Sequence, residues 1–361
     1  MKLFLLKFSL FFSLIIPLNS FAKKIDIHAL YIPLADHYAA IIAFERYKKQ
    51  MKKANFKITK MKSWDRLRAH FQSGDVDMAY VMTPLAIDMY NENPHFNWIG
   101  LMHRDGNALA LNELIHKRVS LPAKREDRKP NEKVAKALKE IYVEENQATM
   151  IGLPHLLSTH AVVLYRYLSE YGVSISFSPN QSAEVLGISL APPKAPAFIK
   201  IKNKKATPAA FEQSLPWADI VETGNFGKVA WYSKDVMPWK HGHVECIAIA
   251  TKKAIIAKEE ALKEVMYYIH KAGADIEKAK ISGGKSLDKI VSMVRKHIPQ
   301  HTADAIKASL RADLQVINYK HLNIDKAGFK LIMDYAVKGK ILKSGLDIDE
   351  FADERFHIKL K

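Results

Sequence analysis

Short apolar runs alternate with amphipathic stretches along most of this chain, and that alternation narrows the fold more than any other feature. Ile25 to Pro33 alternates as a strand, and Tyr38 to Lys49 follows with helical periodicity. Phe56 to Met61 is a second strand, and Trp64 to Gln72 a short helix with Ser63 as its N-cap. Gly74-Asp75-Val76-Asp77 turns into the apolar run Met78 to Met82. Thr83-Pro84 then opens another helix, with Thr as N-cap and Pro at the first helical position. Trp98 to Met102 and Ala108 to Leu111 read as strands around the polar turn His103-Arg104-Asp105-Gly106-Asn107. Val185 to Ala191 and Ile247 to Thr251 are further strands, Ala206 to Gln213 a short helix, and the chain from Ala254 onward is mostly helical. The pattern predicts α/β domains with mainly parallel sheets. Ligands in such sheets bind beyond the carboxyl ends of strands, near helix N-termini.

The N-terminal residues 1–22 read as a signal peptide outside the fold. Lys2 and Lys7 form a positive start, Leu10 to Leu18 an apolar centre, and Ser20-Phe21-Ala22 a small-residue cleavage point. No cysteine lies near that point, so an exported, periplasmic protein without a lipid anchor is expected. The single cysteine, Cys246, excludes an internal disulfide and a multi-cysteine metal site, and is read as a buried small hydrophobe. His241 and His243 have no third ligand beside them, so neither a metal nor a cofactor is expected. The net charge of +17 arises from scattered lysines without interleaved aromatics, which together with export argues against a nucleic-acid partner. Pro122 to Gln147 is highly charged and reads as a surface helix with its tether, striped by Val134, Leu138 and Ile141.

The segment Ile151 to Gly172 concentrates the functional signal. It reads as strand, turn and helix, with Ser158, Thr159 and His160 at the helix start. Two readings fit: a capped helix with a chance histidine, or unpaired N–H groups and the positive end of a macrodipole facing a polar ligand. Asp36-His37 and Met82-Thr83-Pro84 occupy the same kind of strand-to-helix junction. Three such junctions on one crevice would make a binding site.

The order of these pieces resembles a known family. IPLADHYAAIIAFE, SWDRLRAHFQSGDVDMAYVMTPLAIDM, HRDGNALAL, IGLPHLLSTHAVVLYRYLSEYGV, SLPWADIV and DERF together look like the nitrate/sulfonate/taurine class of periplasmic substrate-binding proteins of ABC transporters, nearest its nitrate- and bicarbonate-binding branch. The resemblance implies a two-lobe periplasmic binding protein type II fold, with ligand in the cleft between the lobes. Lobe one is expected at 23–112 plus 235–300, lobe two at 113–234 with a charged helical insertion at 122–147, and a C-terminal helical extension at 301–361. It implies a monomer that captures a small polar ligand, such as an oxyanion or sulfonate, and delivers it to an ABC permease in the inner membrane. A sensor or adaptor for a membrane receptor, and a protein binding a heterocyclic vitamin precursor, are the alternatives.

Candidate ligand-binding residues are Asp36, Thr83, Asp105, Asn107, His160 and Trp217. His160 matches the histidine opening a cleft helix in the nitrate-binding branch, and Trp217 a family Pro-Trp element. Asp105 stands where those proteins have glutamine, and Val81 near their tryptophan position. A carboxylate there would repel an anion unless paired. Asp105 therefore either meets an amine, a metal ion or Arg104, or simply forms the turn before Gly106. No enzyme is expected: the chain has no Gly-x-Ser-x-Gly elbow. It also lacks the cysteine-rich iron motif of the pyrimidine synthases that share a related fold.

Overall fold

A computed structural model describes residues 23–200 and 207–360. The signal segment 1–22 and residue 206 of the expected short helix lie outside the described residues. Two sheets organise the chain. The first has five strands in the order Ala54–Lys60, Ile25–Tyr31, Met78–Met82, Cys246–Thr251, Phe96–Leu101. The second has six, in the order Lys228–Tyr232, Asn107–Leu111, Ala209–Ser214, Thr149–Leu153, Val185–Ser189, Ile175–Ser176. Met78–Met82 and Cys246–Thr251 are buried at every residue. Continuous Val, Ile, Ala and Met runs suit strands covered on both faces.

Neither sheet is wholly parallel. Cys246–Thr251 runs antiparallel to both its neighbours, and Asn107–Leu111 antiparallel to both of its own. Each is the strand on which the chain arrives from the other sheet. Sheet membership moves the expected boundary. Asn107–Leu111, assigned from sequence to lobe one, pairs within the six-stranded sheet, so the first crossing lies at residues 102–106. The return crossing lies between Tyr232 and Cys246.

Three local readings need correction. Ala209–Ser214 is a central strand where a short helix was expected. Ala, Glu and Gln favour helices, but pairing on both edges outweighs that weak preference. Met82, not Thr83, is the N-cap of the Thr83–Glu92 helix, and Thr83 is its first residue. The tether of the Glu132–Glu145 helix does not merely lie on the surface. Arg125 pairs with the fully buried Asp219, and Arg128 is 3% exposed and bonded to Glu222 at 2.8 Å and to the Val229 carbonyl at 2.8 Å. Ser63, Ser158 and Thr302 cap their helices through side-chain oxygens.

The C-terminal part binds to the first sheet and to the crossing. Ile317–Asn318 pairs antiparallel with Arg104–Asp105. Trp98 stacks on Phe329 with ring centroids 4.8 Å apart, and Phe351 packs beside both. No helix among the described residues is long and apolar enough to cross a membrane.

Two histidines of this framework are sealed as neutral rings. Burial pushes His301 down to about 3 and His270 down to about 4. The unfolded chain takes up protons at both positions below about pH 6.5, while the folded chain does not until its lower values are reached. Stability is therefore lost as pH falls from about 6.5 towards 4, at up to ~1.4 kcal/mol per pH unit for each ring. The expected result is a falling melting temperature across that window, with a shallower slope in His270→Gln/His301→Gln. An unchanged slope in that double variant would reject this assignment.

Candidate functional site

The strand directions gather one set of polar side chains between the sheets. Ile25–Tyr31 and Met78–Met82 run parallel, and the turn after the first leads to Asp36. Cys246 pairs with Met82, so the antiparallel strand enters at that same edge and brings Glu245 with it. Phe96–Leu101 ends there too and leads to His103. In the second sheet Ser214 pairs with Asn107, and the parallel strand Thr149–Leu153 leads to the helix opened by Thr159 and His160. Both sheets thus present the strand ends at which ligands are expected.

Asp36, His103, Glu245 and Cys246 each offer a metal-ligand atom, and these four atoms lie within 4.8 Å of one another. His103 Nε2 is 3.2 Å from Glu245 and 3.5 Å from Asp36. Cys246 Sγ is 3.7 Å from Asp36 Oδ2. The second sheet closes over this group. Ser214 donates to Asp36 Oδ2 at 2.8 Å and is 2.9 Å from His160 Nε2, while His160 Nδ1 lies 3.4 Å from Glu245. Thr83 donates from both its N–H and its hydroxyl to the Glu245 carbonyl and so fixes that residue's backbone.

All these side chains are buried, yet many polar atoms have no hydrogen-bond partner among the described residues. Those atoms include both nitrogens of His103, both carboxyl oxygens of Glu245 and of Glu212, Asp36 Oδ1, His160 Nδ1 and the Asn107 amide. Native interiors rarely leave such groups unsatisfied, and a concentration of them marks a place built for something else.

The electrostatics agree. Burial pushes Asp36 up to about 7 against the opposing Ser214 hydrogen bond. Burial, then repulsion from Asp36, holds Glu245 well above the usual carboxylate range. Burial, then repulsion from Glu245 and Asp36, does the same for Glu212. Burial holds His103 and His160 well below the ordinary histidine value. The short His–carboxyl distances are therefore contacts of neutral rings with carboxyl groups that readily hold protons, not ion pairs. Burial likewise raises the Cys246 thiol, so it is no ready nucleophile at neutral pH.

The structure divides the six sequence candidates. Asp36, Asn107 and His160 reach the cluster, and Thr83 supports it through backbone contact. Trp217 is drawn into a clasp between the sheets: its indole N–H donates to the Pro33 carbonyl at 3.1 Å, and its ring packs edge-on to His301. Asp105 faces away. Its φ of 58° places it in the left-handed turn before Gly106, and its carboxylate accepts from the His243 N–H at 2.9 Å. It borders a separate open cavity of about 440 Å³ with Lys234, Trp239, His241 and Lys320. Arg104 also points away, to Asp325 at 2.8 Å. At the helix start Ser158 caps through the Ala161 N–H at 3.0 Å, and His160 faces the cluster.

Sequence reasoning missed His103, Glu212, Ser214 and Glu245, and it took Cys246 for packing alone. It expected no metal, and the fold brings together from distant positions four residues that each offer a metal-ligand atom. One local signal was available: Glu245 directly precedes the largely apolar strand Cys246–Thr251.

The sequence profile of the NMT1-like family matches residues 22–282. No curated protein matches the chain. Among solved structures, the chain is similar to the periplasmic nitrate-binding protein NrtA of Synechocystis, with a TM-score of 0.73, 15% identity, and coverage of 92% of this chain and 87% of that one. It is also similar to a zinc-bound ligand-binding component of an ABC-type import system from Staphylococcus aureus, with a TM-score of 0.70, 15% identity, and coverage of 92% and 98%. The alkanesulfonate-binding protein SsuA of Xanthomonas axonopodis gives a TM-score of 0.63 at 11% identity, with coverage of 89% and 96%. These likenesses establish the periplasmic binding protein fold, and the profile match over most of the chain establishes that the protein belongs to the NMT1-like family.

Proposed function

We propose that this protein is the solute-binding component of an ABC importer, working in the periplasm as a monomer that hands a small ligand to an inner-membrane permease. One observation carries the reading: a buried group of unpartnered polar side chains drawn from both sheets at their crossing. The two sheets are the cores of two lobes, and the crossings at 102–106 and 233–245 are the hinge. Asp36 and Cys246 belong to one lobe, His103 and Glu245 lie in the crossings beside that lobe's sheet, and Ser214, His160 and Glu212 belong to the other lobe. Bringing the lobes together joins them, so ligand and closure favour each other by population shift. The nitrate-binding, alkanesulfonate-binding and ABC-type import proteins in the structural comparison share this fold. Three buried carboxyl groups in the cluster, with the neighbouring Arg104 turned away to Asp325, favour a cation over an oxyanion. Burial raises the Cys246 thiol, which suits capture without turnover.

Small-angle scattering on the chain from residue 23 onward tests this. After bound solute is removed by partial unfolding and refolding, a panel of metal salts, organic cations, oxyanions and sulfonates is added. A solute that lowers the radius of gyration and raises the melting temperature is expected. Ser214→Ala should weaken that response about tenfold or more, because it removes the hydroxyl that joins Asp36 to His160 across the lobes. No compaction and no thermal shift with any solute would sink the reading.

A further inference from the structure

We infer that the cleft binds one divalent transition-metal ion of the zinc type, held by Asp36, His103, Glu245 and Cys246 and covered by the Ser214–His160 pair. The inference rests on the reading of the interlobe cluster as the ligand site and names its ligand class.

The donor set points to the metal. One imidazole, one thiol and two carboxyl groups form a mixed nitrogen, sulfur and oxygen site. Calcium and magnesium take oxygen ligands, whereas zinc and its neighbours accept this mixture. The spacing agrees as well. Four donors at about 2.0–2.3 Å from a central ion in a tetrahedron lie roughly 3.3–3.8 Å apart. His103 Nε2 lies 3.2 Å from Glu245 Oε2 and 3.5 Å from Asp36 Oδ1, on or next to that range, and the four donor atoms all lie within 4.8 Å of one another, so an ion would draw the farther donors inward. The four atoms are close enough to share one ion, yet neither nitrogen of His103 and neither oxygen of Glu245 has a partner among the described residues.

A second, independent observation comes from the other lobe. His160 is fully buried, and its Nδ1 has no hydrogen-bond partner although it lies 3.4 Å from Glu245. Its Nε2 is tied to Ser214, which in turn orients Asp36. Outer contacts of this kind set the direction of metal ligands and their basicity. Asp36 and Cys246 sit on the first lobe, and His103 and Glu245 on the crossings at the edge of its sheet, so metal would bind on that side first. The second lobe would then report its presence by closing Ser214 and His160 over it.

The test uses zinc and cobalt(II) salts on the chain from residue 23 onward, stripped with a chelator. About one metal per chain by elemental analysis is expected. The cobalt form should show a thiolate-to-cobalt charge-transfer band that disappears in Cys246→Ser. His103→Gln should weaken zinc binding at least tenfold, and Cys246→Ser likewise, while both variants keep the wild-type circular dichroism. His70→Ala, at an exposed histidine, should leave zinc binding unchanged. No zinc uptake, or a cobalt spectrum insensitive to Cys246→Ser, would overturn the metal assignment. If zinc is refused but another solute compacts the protein, the metal assignment falls and the binding-protein reading stands. If nothing binds, both fall.

Discussion

Arg125→Ala is expected to destabilise the protein by about 3–5 kcal/mol, the usual cost of removing one partner from a buried ion pair. Asp219 is fully buried, and its carboxyl is already raised by burial against the pull of Arg125. Ser309 also donates to it, but one hydroxyl does not balance a buried charge. The guanidinium also lies near Glu222 at 3.6 Å, so its loss affects a second acid. Denaturant unfolding of wild type, Arg125→Ala, and Arg125→Met/Asp219→Asn measures the effect. The double variant should recover much of the loss, since no unpaired charge remains. A loss below about 1 kcal/mol in the single variant would mean that water screens the pair as at a surface. The result also concerns function, because Asp219 lies on the helix that begins with the interlobe clasp at Trp217.

Trp98→Ala should cost about 3–5 kcal/mol, as large aromatic truncations in closed cores do. Trp98 is fully buried, stacks on Phe329, packs beside Phe351, and donates from its indole to the Gly100 carbonyl at 2.9 Å. The two phenylalanines belong to the C-terminal extension. Hydrogen exchange should therefore accelerate most in the Lys326–Lys338 and Ile348–Phe351 helices. Retained protection there would show that the extension is held by other contacts, such as the Asp353 N–H to the Trp98 carbonyl.

Much of the framework was legible from residue pattern. An alternating run marked Ile25–Tyr31, apolar runs marked Met78–Met82 and Thr149–Leu153, and polar caps marked Ser63 and Ser158, because all these signals act over a few residues. The helix at Glu132–Glu145 was legible for the same reason, with Val134, Leu138 and Ile141 buried on one stripe. The strand Ala209–Ser214 was not. Its local composition favours helix, and only its two neighbours in the sheet reverse that preference.

The site shows the same division more sharply. Sequence by itself determined the strand-to-helix junctions at Asp36, Thr83 and His160, since a junction is a local event. It could not determine the partners of those residues. Asp36 meets Ser214 across 178 positions and Cys246 across 210. Those meetings follow from the antiparallel entry of Cys246–Thr251 and Asn107–Leu111, each fixed by hydrogen-bond register with strands distant in sequence. Asp105 shows the converse: the family resemblance suggested the cleft and the following Gly106 a turn, and a left-handed turn with the His243 N–H directs its carboxylate away. Tertiary structure alone decided which acids and histidines share the buried space, because burial and proximity are properties of the packed sheets rather than of any short segment.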